Sequence, residues 1–326
     1  MPQEPQIQLH EVVQQASNRN LHLYGAFTLA LIGVAAFFFV FAYFDGLPRE
    51  ATQTAAAASS TSAFDSVQIR GSAAIVVELN SGKVLYEKNA DVQLPLASLT
   101  KVPLALAVSE VLTPERVITI PYDTGFTEGG QRLLKGERWK TRDVMHFTLI
   151  ASSNEGAEIL ALNADSALHA LYASSTPGTA TLWRMNDLAH SLGLDRTYFL
   201  NVSGLDESAT QSGAYGSARD MAKLFAYAAT AKPEIFAGTA KDGLLLVDEA
   251  GDTTSAYNTN DALGAISGLI MGKTGYTDLA GGNLGVVFDA GLSQPIVVIV
   301  LGSSQQGRFA DVRLLVETAR KEISKE

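Results

Sequence analysis

Residues 268–277 read GLIMGKTGYT, and the fold turns on whether this stretch opens a phosphate-binding loop or forms a buried strand. A nucleotide cradle of the form G-x-x-x-x-G-K-[ST] needs glycine-rich backbone whose N–H groups wrap the phosphates before a helix begins. The first required glycine falls on Ser267, and Gly268 comes one residue late. Leu269, Ile270 and Met271 suit a strand interior, and the residues after Lys273 lack the apolar spacing of a helix. The stretch therefore reads as a strand over Leu269–Lys273 that ends in Lys273-Thr274-Gly275. The lysine needs another purpose.

Two more strand-like runs follow at once, Asn283–Asp289 and Pro295–Leu301. At the other end of the chain, Ala73–Leu79 is apolar and rich in β-branched residues. Val84–Glu87 follows it across a turn where Gly82 can take a positive φ, which is a hairpin signal. Between these ends, Leu104–Leu112, Asp143–Ala161, Leu182–Leu192 and Arg219–Ala231 carry helical spacing. Arg308–Lys325 is an amphipathic helix with basic residues toward its end. Short connections make the terminal strands antiparallel neighbours. The fold class is α+β, an antiparallel sheet built from both chain ends with a largely helical insertion.

The 326 residues are 47% hydrophobic, ample for a large core, and the net charge of −10 argues against a general nucleic-acid binder. With no cysteine, disulfides, thiolate metal sites and cysteine nucleophiles are excluded. The five histidines are scattered without an i,i+4 pair, so no metal or other cofactor is expected. Residues 23–44 hold no charged side chain, a length that spans about 30 Å of hydrocarbon as a helix. Phe37–Phe39 and Phe41 leave no polar face, and the run is longer than the ~7–15 apolar residues of a cleaved signal. The predicted organisation is a tail at 1–22, one transmembrane anchor at 23–44, an Ala/Ser/Thr-rich tether at 45–66 and a single domain at 67–326. Arg19 and Arg49 flank the anchor equally, so charge does not set its orientation.

The domain holds Ser98-Leu-Thr-Lys101 at the predicted start of the first helix. Positions i and i+3 share a helix face, so the Lys101 amine can reach the Ser98 hydroxyl and take its proton once burial or a nearby cation lowers its pKa. Alone, S-x-x-K arises about once by chance in a chain of this length and means a solvated lysine at a helix start. Downstream, however, stands the only S-x-N of the chain, Ser152-Ser153-Asn154, in a polar break between two helical runs. Lys273-Thr274-Gly275 then follows on a strand. The trio S-x-x-K, S-x-N and K-T-G, in that order, is a signature of penicillin-binding proteins and class A β-lactamases.

The stretch VVELNSGKVLYEKNADVQLPLASLTKVPLA, the later Gly204-Leu-Asp206, the segment Tyr215–Ala222 and GKTGYTDLAG from Gly272 resemble the low-molecular-mass penicillin-binding proteins that act as D-alanyl-D-alanine carboxypeptidases. The resemblance runs from Ser66 to the C-terminus. It implies a β-lactamase/transpeptidase-like fold and a peptidoglycan stem peptide ending in D-Ala-D-Ala as substrate. It also implies β-lactams as inhibitors, and a place on the outer face of a bacterial cell membrane with residues 1–22 inside. On this resemblance Ser98 is the nucleophile and Lys101 its base, and Ser152 relays a proton to the departing amine. Asn154 holds the substrate amide and Lys101. Lys273, Thr274 and Thr277 bind the terminal carboxylate, while Gly275 completes the strand motif. The backbone N–H groups of Ser98 and Tyr276 form the oxyanion hole.

Two positions depart from the family pattern. Ser203 stands where a histidine often precedes Gly204, and Thr259 stands near where some members carry an arginine for the carboxylate. They open the alternative of a D,D-endopeptidase, which needs no free terminal carboxylate. A class A β-lactamase is a further alternative, but Glu158 has one residue too many before Leu162-Asn163 and lies only four past Asn154. A degenerate muropeptide-binding homologue is the third. Pro103 is expected to remove one early helical bond. Arg219 and Asp220 are read as an ion pair at a helix start, and Trp139 and Trp183 as partly buried packing residues.

Overall fold

Five strands form the central sheet: β1 (Ala73–Glu78), β2 (Val84–Lys88), β3 (Leu269–Thr277), β4 (Gly281–Asp289) and β5 (Pro295–Ser303). Their order is β3-β4-β5-β1-β2, so the two chain ends meet where β5 pairs with β1, Ala73 opposite Leu301 and Glu78 opposite Ile296. Every pairing is antiparallel. The computed structural model describes residues 62–125, 132–291 and 293–325. The predicted tail, the anchor and most of the tether lie outside the described residues. Among the described residues no helix is long and apolar enough to cross a membrane.

Side chains alternate between the sheet faces with period two. Ala73, Ile75, Val297, Ile299 and Leu301 enter one core. Ala74, Val76, Ile296, Val298 and Val300 enter the other. Burial on both faces explains why these runs are apolar without alternation, and each aliphatic side chain so buried contributes about 1.5–3 kcal/mol. The second core is closed by the C-terminal helix Gly307–Ile323 through Phe309, Val312, Leu315 and Val316. Phe64, from the last residues of the Ala/Ser/Thr-rich stretch, joins this face and stacks on Tyr86 with ring centroids 5.4 Å apart. The first core is closed by the helical insertion, α1 (Lys101–Ser109), α2 (Thr141–Ile150), α3 (Asn154–Leu171), α4 (Ala180–Ser191) and α5 (Ala218–Ala231).

Several boundaries differ from the sequence expectation. The strand expected to end at Lys273 continues to Thr277, because Gly275, Tyr276 and Thr277 still pair with Asn283, Gly282 and Gly281. The first helix, expected to start at Ser98–Lys101, opens with a 3-10 turn over Ala97–Thr100 and becomes α1 at Lys101, and Pro103 sits in its first turn, where a missing N–H costs little. Arg219 and Asp220 do not pair with each other. Arg219 binds Asp91 and Glu87, while Asp220 accepts from the backbone N of Arg196 and the hydroxyl of Thr197. Trp139 is 1% exposed, fully inside the core rather than partly buried.

Candidate active site

The turn carrying Ser98 is wedged between two glycines from distant segments. A Cβ on Gly204 would lie 2.0 Å from the Ala97 carbonyl oxygen, and one on Gly275 would lie 2.9 Å from the Leu96 carbonyl oxygen and 3.1 Å from the Ser98 amide nitrogen. No larger residue allows this approach. Ala97 takes φ 48°, a left-handed conformation that is rare for alanine. Ser152 does the same with φ 59°. Such strain, of order 1 kcal/mol or more per residue, concentrates at functional sites.

Ser152 lies in the break between α2 and α3. Ser153 caps α3, its hydroxyl accepting from the Gly156 amide at 3.0 Å, and Asn154 is thereby fixed as the first helical residue. Gly156 leaves room for this cap, since a Cβ there would meet the Thr148 hydroxyl at 2.5 Å.

Lys101 is completely buried. Its Nζ lies 2.8 Å from Ser98 Oγ, 2.7 Å from Asn154 Oδ1 and 2.9 Å from the Ser203 carbonyl oxygen. Asn154 Oδ1 and the Ser203 carbonyl can only accept. A neutral amine would spend its two N–H donors on them and keep its lone pair for the Ser98 hydroxyl. Burial disfavours the charged form and lowers the Lys101 pKa to about 7, while the carboxylates of Glu155 and Glu158 push the other way. The lysine is poised to accept a proton near neutrality.

Lys273 reaches the same site from β3, 2% exposed. Its Nζ lies 2.7 Å from Ser152 Oγ and 2.8 Å from the Thr274 carbonyl oxygen. Burial first, then the charges of Lys101 and Arg308, hold it well below the ordinary lysine range. A charge on Lys101 thus disfavours a proton on Lys273. An anion entering between them would relieve this repulsion.

Direct contacts thus join Ser98 and Asn154 through Lys101, and Ser152 to Lys273, while Gly275 on the same strand as Lys273 packs against the Ser98 turn. Thr274 and Thr277 are held by partners from distant segments. Thr274 Oγ1 lies 2.5 Å from Thr259 Oγ1. The Thr277 hydroxyl donates to Asp206 Oδ1 at 2.9 Å, and Asp206 Oδ2 accepts from the Leu279 amide. Tyr276 is 43% exposed on β3, an edge strand of the sheet. Asn201 shapes the loop that presents the Ser203 carbonyl, accepting from the amides of Ser203 and Gly204 at 3.2 and 2.7 Å. Asp206 belonged to a quoted motif but received no role. Asn201 lies just before that motif, and no spacing rule marks it.

A family model described as D-alanyl-D-alanine carboxypeptidase matches residues 55–305. The D-alanyl-D-alanine carboxypeptidase DacF of Bacillus subtilis is 29% identical over 256 residues, covering 76% of this chain and 61% of its own length. DacA of Escherichia coli is 29% identical over 268 residues, with 76% and 60% covered. A D-alanyl-D-alanine endopeptidase of Pseudomonas aeruginosa is 27% identical over 255 residues and covers 76% of each chain. The chain spans about three fifths of the length of the first two. Among solved structures, penicillin-binding protein D2 of Listeria monocytogenes in its ampicillin-bound form aligns with TM-score 0.64 and 27% identity, covering 77% of this chain and 98% of that one. The mixed fold with its antiparallel sheet is that of the penicillin-binding proteins and DD-transpeptidases. With some 250 residues under one family model and the serine–lysine pair in contact at its centre, the chain belongs to the D-alanyl-D-alanine carboxypeptidase family.

Proposed function

We propose that this chain is a membrane-tethered serine D,D-peptidase that trims the D-Ala-D-Ala end of peptidoglycan stem peptides through an acyl-enzyme on Ser98. The observation that carries the reading is the fully buried Lys101 amine, 2.8 Å from Ser98 Oγ and with its other partners all acceptors. Lys101 takes the Ser98 proton as Oγ attacks the carbonyl carbon of the penultimate D-Ala. The developing oxyanion is met by the amides of Ser98 and Tyr276. As the tetrahedral centre collapses, its C–N bond breaks and the departing D-Ala amine takes a proton relayed through Ser152. Water then cleaves the ester and restores Ser98. Lys273, with Thr274 and Thr277, receives the terminal carboxylate, and a β-lactam would acylate the same serine. Residues 23–44 would hold the domain on the outer face of the membrane, with 1–22 inside.

A D,D-endopeptidase reading is favoured by one observation. The Thr274 hydroxyl is already engaged by Thr259, a neutral residue, so a side chain expected to greet the carboxylate is partly occupied. Free D-Ala released from a stem pentapeptide, compared with monomer released from a cross-linked muropeptide dimer, separates the two. Turnover of the pentapeptide alone supports the carboxypeptidase. Turnover of the dimer alone replaces it with the endopeptidase.

A further inference from the structure

Arg308 is the second residue of the C-terminal helix and is 7% exposed. Its Nη1 donates to the carbonyl oxygen of Gly275 at 2.6 Å, and its guanidinium packs 4.6 Å from the centroid of the Phe309 ring. The position is unfavourable for a cation. A helix N-terminus carries the positive end of the dipole, and the side chain stands close enough to Lys273 to help depress its pKa. Burial adds a desolvation cost. The bond to Gly275 and the Phe309 contact offset part of these costs.

Room is nonetheless kept for it. Gly282, opposite Tyr276 in the β3–β4 pair, would with a Cβ come 3.2 Å from Arg308 Cδ and 2.2 Å from the Ser304 carbonyl oxygen. The bound carbonyl belongs to the peptide that joins Gly275 to Tyr276. In a trans peptide the carbonyl and the following amide point in opposite directions, and no described peptide is cis. Fixing the Gly275 oxygen inward therefore aims the Tyr276 N–H away from Arg308. Gly275 itself lies against the Ser98 turn, where a Cβ would fall 3.1 Å from the Ser98 amide nitrogen, so this peptide borders the nucleophile. A cation on the carbonyl also polarises the amide and strengthens it as a donor.

We infer that Arg308 is a positioning residue for the acyl-transfer step, a clamp that holds the Gly275–Tyr276 peptide so that the Tyr276 N–H meets the oxyanion formed at Ser98. This rests on the acyl-serine reading above. A clamp of this kind acts on the transition state, so the rate of acylation should fall while reversible binding is spared.

The test uses the full-length chain with a chromogenic β-lactam, resolving the reversible dissociation constant from the acylation rate constant at Ser98. Because losing an oxyanion donor outright costs about 10²–10³ in rate and this donor is only loosened, Arg308→Met should acylate about 10- to 100-fold more slowly. Its dissociation constant should change by less than about 3-fold, the mark of an interaction made only in the transition state. Arg308→Lys, which can still reach a carbonyl with one donor, should recover part of the rate. Folded fraction is read from thermal unfolding, and if the Met variant does not fold, Arg308→Gln takes its place. Wild-type acylation in the folded Met or Gln variant would overturn the clamp while leaving the acyl-serine reading intact. So would a loss that tracks unfolding and that Arg308→Lys does not rescue. A wild-type chain that is never acylated would overturn both.

Discussion

Lys101 and Lys273, two buried lysines in one site, each sit within 2.8 Å of a different serine, Ser98 and Ser152. Two ammonium groups so close in a desolvated site cannot both hold protons cheaply. The natural division is one neutral amine that works as a base and one that becomes a cation when an anion arrives.

Replacing Lys101 tests the first half. Lys101→Met removes the proposed base but keeps a side chain of similar length beside Ser98. Acylation of Ser98 should fall about 10³-fold or more, within the range of general-base contributions. Thermal stability should fall by about 1–3 kcal/mol, since Asn154 Oδ1 and the Ser203 carbonyl lose their donor. Labelled penicillin and a melting curve read both.

The acylation rate should rise with pH. With Lys101 near 7, the free amine is scarce below that value and dominant above it. Acylation at saturating β-lactam should climb about tenfold per pH unit on the acid side and level off above about pH 7, in keeping with a base whose pKa lies near the working pH. A profile flat from pH 5 to 9 would argue against Lys101 as the base.

On the proposed mechanism, Lys273 receives the ligand carboxylate. In the ligand-free site it loses its proton easily, and an incoming carboxylate raises its pKa. Binding of a carboxylate-bearing ligand should therefore take up a proton, and affinity should weaken as pH rises. Calorimetry in buffers of different ionisation enthalpy measures the uptake. Lys273→Gln should abolish it.

Gly275→Ala places a methyl group 2.9 Å from the Leu96 carbonyl oxygen and 3.1 Å from the Ser98 amide. Overpacking of this kind costs about 1–3 kcal/mol, and it moves the nucleophile relative to β3. Activity should fall by about 10²-fold, since a displacement near 1 Å suffices for that.

Asp206→Ala removes the acceptor for both the Thr277 hydroxyl and the Leu279 amide. The loss should be about 1.5–3 kcal/mol of stability, as expected for hydrogen bonds to a charged group. Asp206→Asn, which keeps the acceptor oxygen at Thr277, should lose less.

The sheet was legible from sequence because its strands are buried on both faces, which leaves runs such as Ile296–Leu301 almost wholly apolar. The three motifs were legible because acyl transfer demands particular residue types at short spacings. Contacts across long separations were not. Nothing local in Arg308 announces that it reaches Gly275, and nothing in Thr259 points to Thr274. The end of β3 was misplaced for a related reason. Gly275 and Thr277 look like turn residues, yet backbone pairing with Gly281–Asn283 carries the strand through them.

Ser98 as the nucleophile is tested most directly by intact-mass spectrometry of the full-length chain mixed with a penicillin, followed over time and mapped by peptide. We expect one drug mass added per chain, located on Ser98, absent in Ser98→Ala and slow to disappear. A folded chain that stays unmodified, or an adduct on any residue other than Ser98, would contradict the acyl-serine mechanism.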